Sequence, residues 1–349
     1  MKKIKVTVFP THFNENPYLA IFCKKLQTTG VIAQNDAQFT IKWLLYNKAN
    51  VKILHFHWIH TYSEAKNDIK AFIKLIGFYT KLRIATFLGY KIVWTVHNIM
   101  PHETYHKALQ CWIRKKLANI AHVVTHCEYS KNVIEQKFKK RHVDVIMHGN
   151  YVEKYPNVVS KSIAREYLGL PQDSKIYLCF GLIRKYKGIE ELMLSFNKFK
   201  IDKKLLMIVG KPLCDVLNNI YKYVEKCNYI KVVPHYIPDE EVQYYFNAAD
   251  FVILPYKRIM SSGTVLLAMS FAKPLIVPKI GCIPEIIDKS GAIFYEPNKK
   301  DGILEALYKS LDVDADKMGQ NSYKKVISFN WHTVAKKYTE LYHKIVKTT

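Results

Sequence analysis

Acidic residues are scarce in this chain. Its 349 residues include 29 Asp and Glu against 53 Lys and Arg, giving a formal net charge of +24 and a sequence pI near 9.5. That imbalance points to anionic partners, whether nucleic acid, an anionic membrane surface or a phosphorylated substrate. Residues 1–150 carry +15 of it and the remaining 199 residues +9. Cysteine is sparse and unpatterned. The seven (Cys23, Cys111, Cys127, Cys179, Cys214, Cys227, Cys282) form no C-x-x-C and are odd in number, which argues against a zinc site or a disulfide framework and fits a reducing cytosol. No run of about 18 apolar residues occurs, so no transmembrane helix is expected. The basic start, residues 1–10, lacks the apolar core of a signal peptide and reads as a first strand. There is no low-complexity tract and no internal repeat. With 49% hydrophobic and 23% charged residues, the composition is that of a folded protein able to bury large cores.

What is present is an alternation of strand-like and helix-like stretches. Short β-branched or apolar runs at 4–9, 53–57, 91–96, 122–126 and 143–147 are each followed by polar residues, with helical stretches between them at 18–28 and 107–120. A polar segment, 150–160, reads as a linker. The pattern then restarts at 175–180, 205–209, 230–233, 251–254, 274–277 and 292–294. This is the signature of an α/β chain with two doubly wound parallel sheets in tandem and a cleft between them. The expected division is 1–155 for the first domain and 156–330 for the second. A C-terminal amphipathic helix at 331–349 is expected to pack back on the first domain.

The densest chemical signal lies at Phe251 to Thr264. A strand ends at Pro255-Tyr256, a loop of small residues follows (Ser261, Ser262, Gly263, Thr264), and an apolar helix begins. Free backbone N–H groups and a helix N-terminus at a strand's carboxyl end favour a phosphate. Gly181 to Gly188 repeats the arrangement after another strand, with Arg184 and Lys187 as cations suited to a diphosphate. A basic surface turn is the bland alternative.

These residues carry a resemblance. Phe180-Gly181 to Lys187-Gly188, the strand ending Val209-Gly210-Lys211-Pro212, Tyr236-Ile237-Pro238, Ala248-Ala249-Asp250 to Pro255, Ala268 to Pro274, Gly281-Cys282-Ile283-Pro284-Glu285 and Phe329-Asn330-Trp331 resemble the nucleotide-sugar domain of GT-B glycosyltransferases of the family 1/4 type. In the first half, Trp94 to Glu103 and Asn14 to Tyr18 resemble a subgroup of β-mannosyltransferases acting on glycolipids in exopolysaccharide assembly. The resemblance implies the GT-B fold and a hexosyltransferase. Arg184, Lys187 and Gly188 would meet the donor diphosphate, and Ser261, Ser262, Gly263 and Thr264 would donate to it. Gly210, Lys211, Pro255 and Tyr256 would complete the pocket. Tyr236 and Ile237 would flank the base, and Glu285 would meet ribose or sugar hydroxyls. The nucleotide sugar is a substrate, and no cofactor or metal is expected, since no Asp-x-Asp motif stands in a suitable loop.

The chain departs from the family at one point. Many members carry a Glu-x7-Glu pair across this loop, where this sequence has Ile259 and Leu267. Neither accepts a hydrogen bond, so retention of configuration does not carry over, and the subgroup favours inversion. Inversion needs a general base. His97, just past a strand, matches the position of an active-site histidine in the class; Glu103 and Glu15 are alternatives. Asn14, Asn16, His57 and Trp58 are candidates for the acceptor side. His55, His57 and His60 alternate but lack a carboxylate or cysteine to complete a metal site.

Between residues 66 and 90, Ile69, Phe72, Ile73, Ile76 and Phe78 recur near helical spacing with Lys70 and Lys74 interleaved. Either this is a face for anionic lipid, or a core helix with a solvated lysine face. The leading expectation is a glycosyltransferase, peripheral on the cytoplasmic side of the plasma membrane. It would use GDP-mannose or a UDP-sugar and a lipid-linked saccharide acceptor in exopolysaccharide, capsule or glycolipid synthesis. A basic nucleic-acid-binding protein is the alternative from another class, although no nucleic-acid motif appears. A GT-B epimerase or an inactive donor-binding subunit is a third. Nothing in the sequence sets the oligomeric state.

Overall fold

A computed structural model describes residues 3–11, 16–62, 65, 67–100, 106–213, 217–224 and 227–347. The chain forms two compact units, Met1–Gly149 with Phe329–Thr349, and Asn150–Ser328.

In the first unit, strands β1 (Lys5–Phe9), β2 (Ile32–Gln34), β3 (Ile53–Phe56), β4 (Lys91–Thr95), β5 (His122–Thr125) and β6 (Val143–Val145) form a parallel sheet in the order β2-β1-β3-β4-β5-β6. Helices α1 (Tyr18–Gln27), α2 (Ile41–Asn47), α3 (Asp68–Phe87), α4 (Lys107–Ile120) and α5 (Glu128–Phe138) connect them. The inner strands are buried on both faces, as a sheet covered by helices requires; all four residues of β3 are buried. The sequence pattern missed β2, a three-residue edge strand that pairs only with β1. The C-terminal helix, Trp331–Lys347, belongs to this unit. It buries Val334, Tyr338, Leu341, Tyr342 and Ile345 in the core shared with Tyr18 and Phe22 of α1. Thr339 and Thr29 join hydroxyls at 2.6 Å.

In the second unit, β7 (Lys175–Phe180), β8 (Lys204–Val209), β9 (Ile230–Val233), β10 (Phe251–Ile253), β11 (Leu275–Pro278) and β12 (Ala292–Tyr295) are parallel in the order β12-β11-β10-β7-β8-β9. The helices are α6 (Lys161–Tyr167), α7 (Ile189–Lys198), α8 (Leu217–Val224), α9 (Val242–Ala248), α10 (Gly263–Ser270), α11 (Ile283–Ile286), α12 (Gly302–Lys309) and α13 (Ala315–Val326). Counted from β7, this is the 3-2-1-4-5-6 order of the dinucleotide-binding fold. Its winding reverses between β7 and β10, and ligands bind at the carboxyl ends of the strands flanking that reversal. In the first unit the reversal falls between β1 and β3. Among the described residues no helix is long and apolar enough to cross a membrane.

Candidate active site

In the second unit the two loops singled out by sequence leave the sheet at its reversal point, one from β7 and one from β10. They touch. Gly188 caps α7 at φ +72°, and a Cβ there would lie 2.1 Å from the Pro255 carbonyl oxygen. Only glycine lets the β7 loop lie this close to the end of β10. Gly210, at φ +144°, serves the same end on the other side, since its Cβ would lie 2.4 Å from the Gly181 carbonyl oxygen. The segment at Lys211 is tied back as well, with Ile183 N–H donating to the Lys211 carbonyl at 2.9 Å.

Lys187 and Thr264 converge on Gly181. A Cβ at Gly181 would sit 3.3 Å from Lys187 Nζ and 3.5 Å from Thr264 Oγ1. Lys187 is buried, and that burial pulls its pKa down to about 8, with the nearby Arg184 charge acting in the same direction. The Nε of Arg184 is buried without a hydrogen-bond partner among the described residues. Two cations forced together with too few counter-groups form a site that gains from an anion. Ser262 caps α10, its Oγ accepting from Val265 N–H. The buried Tyr256 hydroxyl lies 3.0 Å from that Oγ and also bonds the Thr264 side chain. Gly263 follows the cap, and Ser261 precedes it. Tyr151, which the sequence reading passed over, stands against Gly263: its hydroxyl is 3.2 Å from where a Cβ on that glycine would be.

The remaining donor-side candidates are dispersed around this centre. Tyr236 is about half exposed and Ile237 is buried. Glu285 is exposed on α11. Leu267, at one family glutamate position, is buried within α10.

In the first unit, His57, His97, His126 and His148 follow β3, β4, β5 and β6, and so gather at one edge of the sheet. His57 Nδ1 is 2.9 Å from His97 Nε2, and His97 Nδ1 is 3.3 Å from His126 Nε2. Trp58 stacks on His97, with ring centroids 4.3 Å apart and 16° between planes. Tyr18 touches His57, His97, His126, His148, Trp58 and Trp331. Beneath them His55 bonds Tyr342 and Thr95. Burial drives these imidazoles toward the neutral form, to about 3 for His55 and His148, about 4 for His126, and well below the ordinary value for His57 and His97. Among the described residues no group of three or more His, Cys, Asp or Glu is arranged to hold a metal ion. Asn16 accepts from Tyr18 N–H at 3.0 Å; Asn14, Glu15 and Glu103 lie outside the described residues. The sequence missed His126 and His148 as members of this group, although His126 ends one predicted strand and His148 falls just past another, much the signal that marked His97.

Two Rossmann-like units, the second with Lys187, Arg184 and the start of α10 at its reversal point, make up the GT-B fold. Residues 160–325 match the family of glycosyl transferases group 1. The chain has the GT-B fold and is a hexosyltransferase, with the group 1 match confined to its second unit. It is 26% identical over 282 residues to a GDP-mannose:glycolipid 4-beta-D-mannosyltransferase of Xanthomonas campestris pv. campestris, covering 80% of this chain and 74% of that protein. Among solved structures it resembles sucrose-phosphate synthase from Thermosynechococcus elongatus, with a TM-score of 0.79 at 16% identity over 99% of this chain and all of that one. It also resembles Anabaena Alr3699/HepE in complex with UDP-glucose, with a TM-score of 0.75 at 13% identity over 98% of this chain and all of that one.

Proposed function

We propose that this enzyme transfers a hexose from a nucleotide-diphosphate sugar to a lipid-linked saccharide, with inversion and without a metal ion. The convergence of Lys187 Nζ and Thr264 Oγ1 on Gly181, at the winding reversal of the second sheet, carries the reading. There the diphosphate leaves, and Lys187, Arg184 and the amides of Gly263 and Thr264 at the start of α10 stabilise its charge as the glycosidic bond breaks. Ser261, Ser262 and Tyr256 hold that loop in place, and Glu285, Tyr236 and Lys211 line the approach of the nucleoside and sugar. Of the donors, GDP-mannose is favoured over UDP-sugars by the glycolipid mannosyltransferase among the relatives. The apolar Ile259 and Leu267 in place of the glutamate pair support inversion. The acceptor hydroxyl meets the histidine edge of the first unit, where His97 and its neighbours supply the base and Trp58 and Asn16 the binding surface.

The acceptor's lipid fits the outward face of α3. That helix buries Ala71, Leu75, Phe78, Leu82 and Ala85, and turns Ile69, Phe72, Ile73 and Ile76 outward beside the exposed Lys70 and Lys74. A solvated core helix would show the reverse, so we read this face as peripheral docking on the anionic inner leaflet of the plasma membrane. The test is transfer from labelled GDP-mannose, UDP-glucose and UDP-galactose to a lipid-linked saccharide, with and without EDTA. Transfer from one donor, undiminished by EDTA, is expected. Nucleotide binding without transfer to any acceptor identifies a donor-binding subunit and overturns the proposal.

A further inference from the structure

The hydrogen bonds among the histidines of the first unit form a chain with only one consistent assignment of protons. His126 Nδ1 lies 2.9 Å from the Ile146 carbonyl. A carbonyl only accepts, so His126 carries its proton on Nδ1 and presents a lone pair at Nε2. His97 must then donate from Nδ1 to that lone pair at 3.3 Å, which leaves Nε2 of His97 as an acceptor. His57 must in turn donate from Nδ1 to it at 2.9 Å. The last nitrogen, His57 Nε2, is a lone pair, buried, with no hydrogen-bond partner among the described residues. An unsatisfied buried acceptor beside a reaction site calls for a functional explanation.

We propose that the Ile146 carbonyl locks His126, His97 and His57 in one common tautomer, and that Nε2 of His57 is the proton-accepting end of the chain, making His57 the base and His97 and His126 positioning residues behind it. The inference rests on the glycosyl-transfer reading above. As the acceptor oxygen bonds the anomeric carbon, the carbon–oxygen bond to the diphosphate breaks with its electron pair on the leaving group. The hydroxyl proton goes to His57 Nε2. The His57 Nδ1 proton passes to His97 Nε2, and the His97 Nδ1 proton passes to His126 Nε2. The charge then rests on His126, whose remaining N–H points at the Ile146 carbonyl. The His57 ring packs T-shaped against Tyr18 and Phe22 of α1. Among the described residues, the other titratable groups facing the three rings are His55 on β3, His60, His148 after β6, and Tyr18. All three imidazoles are shifted toward the neutral form by burial, as a resting base requires.

Nitrogen-15 NMR of the full chain, labelled at histidine, reads the tautomers directly. The Nδ1–H form is expected for all three residues, against the usual Nε2–H preference of free histidine. A proton on Nε2 of any one overturns the chain. His57→Asn keeps an N–H where Nδ1 donates to His97 but removes Nε2. It is expected to lower kcat by about 100-fold or more while leaving the donor KM within about twofold. An unchanged kcat overturns the role of His57 even if the wild type transfers sugar. Wild-type protein that transfers to no acceptor overturns the functional reading itself, while the NMR result still decides the tautomer chain.

Discussion

In the proposed reading, Lys187 is the residue on which donor binding turns. Its pKa of about 8 reflects burial without a carboxylate beside it, so the free protein loses this charge near the upper end of the physiological range. A bound diphosphate favours the ammonium form. Affinity for a nucleoside diphosphate should therefore be flat below about pH 7 and fall as pH rises through about 8, following deprotonation of one group. Calorimetric titrations across that range should show it, and a pH-independent affinity contradicts the assignment. The histidines behave oppositely with respect to stability. Unfolded, they take up protons below about pH 6.5; folded, His55, His126 and His148 wait until about 3 to 4. Between those limits the unfolded chain holds more protons, so the first unit should lose stability as pH falls from about 6.5 toward 4 and change little above about 7. The fluorescence of Trp58 and Trp331, both on the cluster, should report a urea midpoint that drops over that interval. A constant midpoint means the rings titrate normally.

At the level of elements, the loops after β7 and β10 meet at the winding reversal because Gly188 lies against the Pro255 carbonyl, and Gly210 after β8 lies against the Gly181 carbonyl. That geometry was legible in advance. The strand-to-loop-to-helix order around Ser261 to Thr264 and around Gly181 to Gly188 follows from local sequence, and the structure has both loops at the reversal point. The histidine edge was only partly legible. His57, His97, His126 and His148 lie far apart in sequence and meet only because β3 to β6 are parallel neighbours, a tertiary fact that periodicity does not encode. The same limit hid β2, whose three residues carry no measurable alternation. For α3, spacing alone left open a lipid face or a core helix with a solvated lysine face; the structure buries Ala71, Leu75 and Phe78 and leaves Ile69, Phe72, Ile73 and Ile76 exposed. Its outward face gives a direct expectation. The chain should sediment with vesicles containing anionic lipid, and Ile69→Asp with Ile73→Asp should abolish this without lowering the melting temperature by more than a few degrees. Undiminished sedimentation of the double variant removes α3 from the docking surface.

Across the whole molecule, each unit places its chemistry at the carboxyl edge of its own parallel sheet: a cationic, amide-rich pocket in Asn150–Ser328, and a neutral, aromatic-walled histidine cluster in the unit that the C-terminal helix completes. On the proposed reading, the pocket holds the leaving anion and the cluster receives a proton. The overall charge of +24 is consistent with anionic donor and membrane alike, and the proposed donor site rests on the positions of Lys187 and Arg184, not on the total. The most direct test is calorimetric titration of GDP, UDP and ADP into wild-type protein and into Lys187→Met. The account predicts that one of the three binds the wild type with a micromolar Kd, about −8 kcal/mol, and that the variant binds it at least about tenfold more weakly. Absence of binding by all three, or equal affinity in the variant, contradicts it.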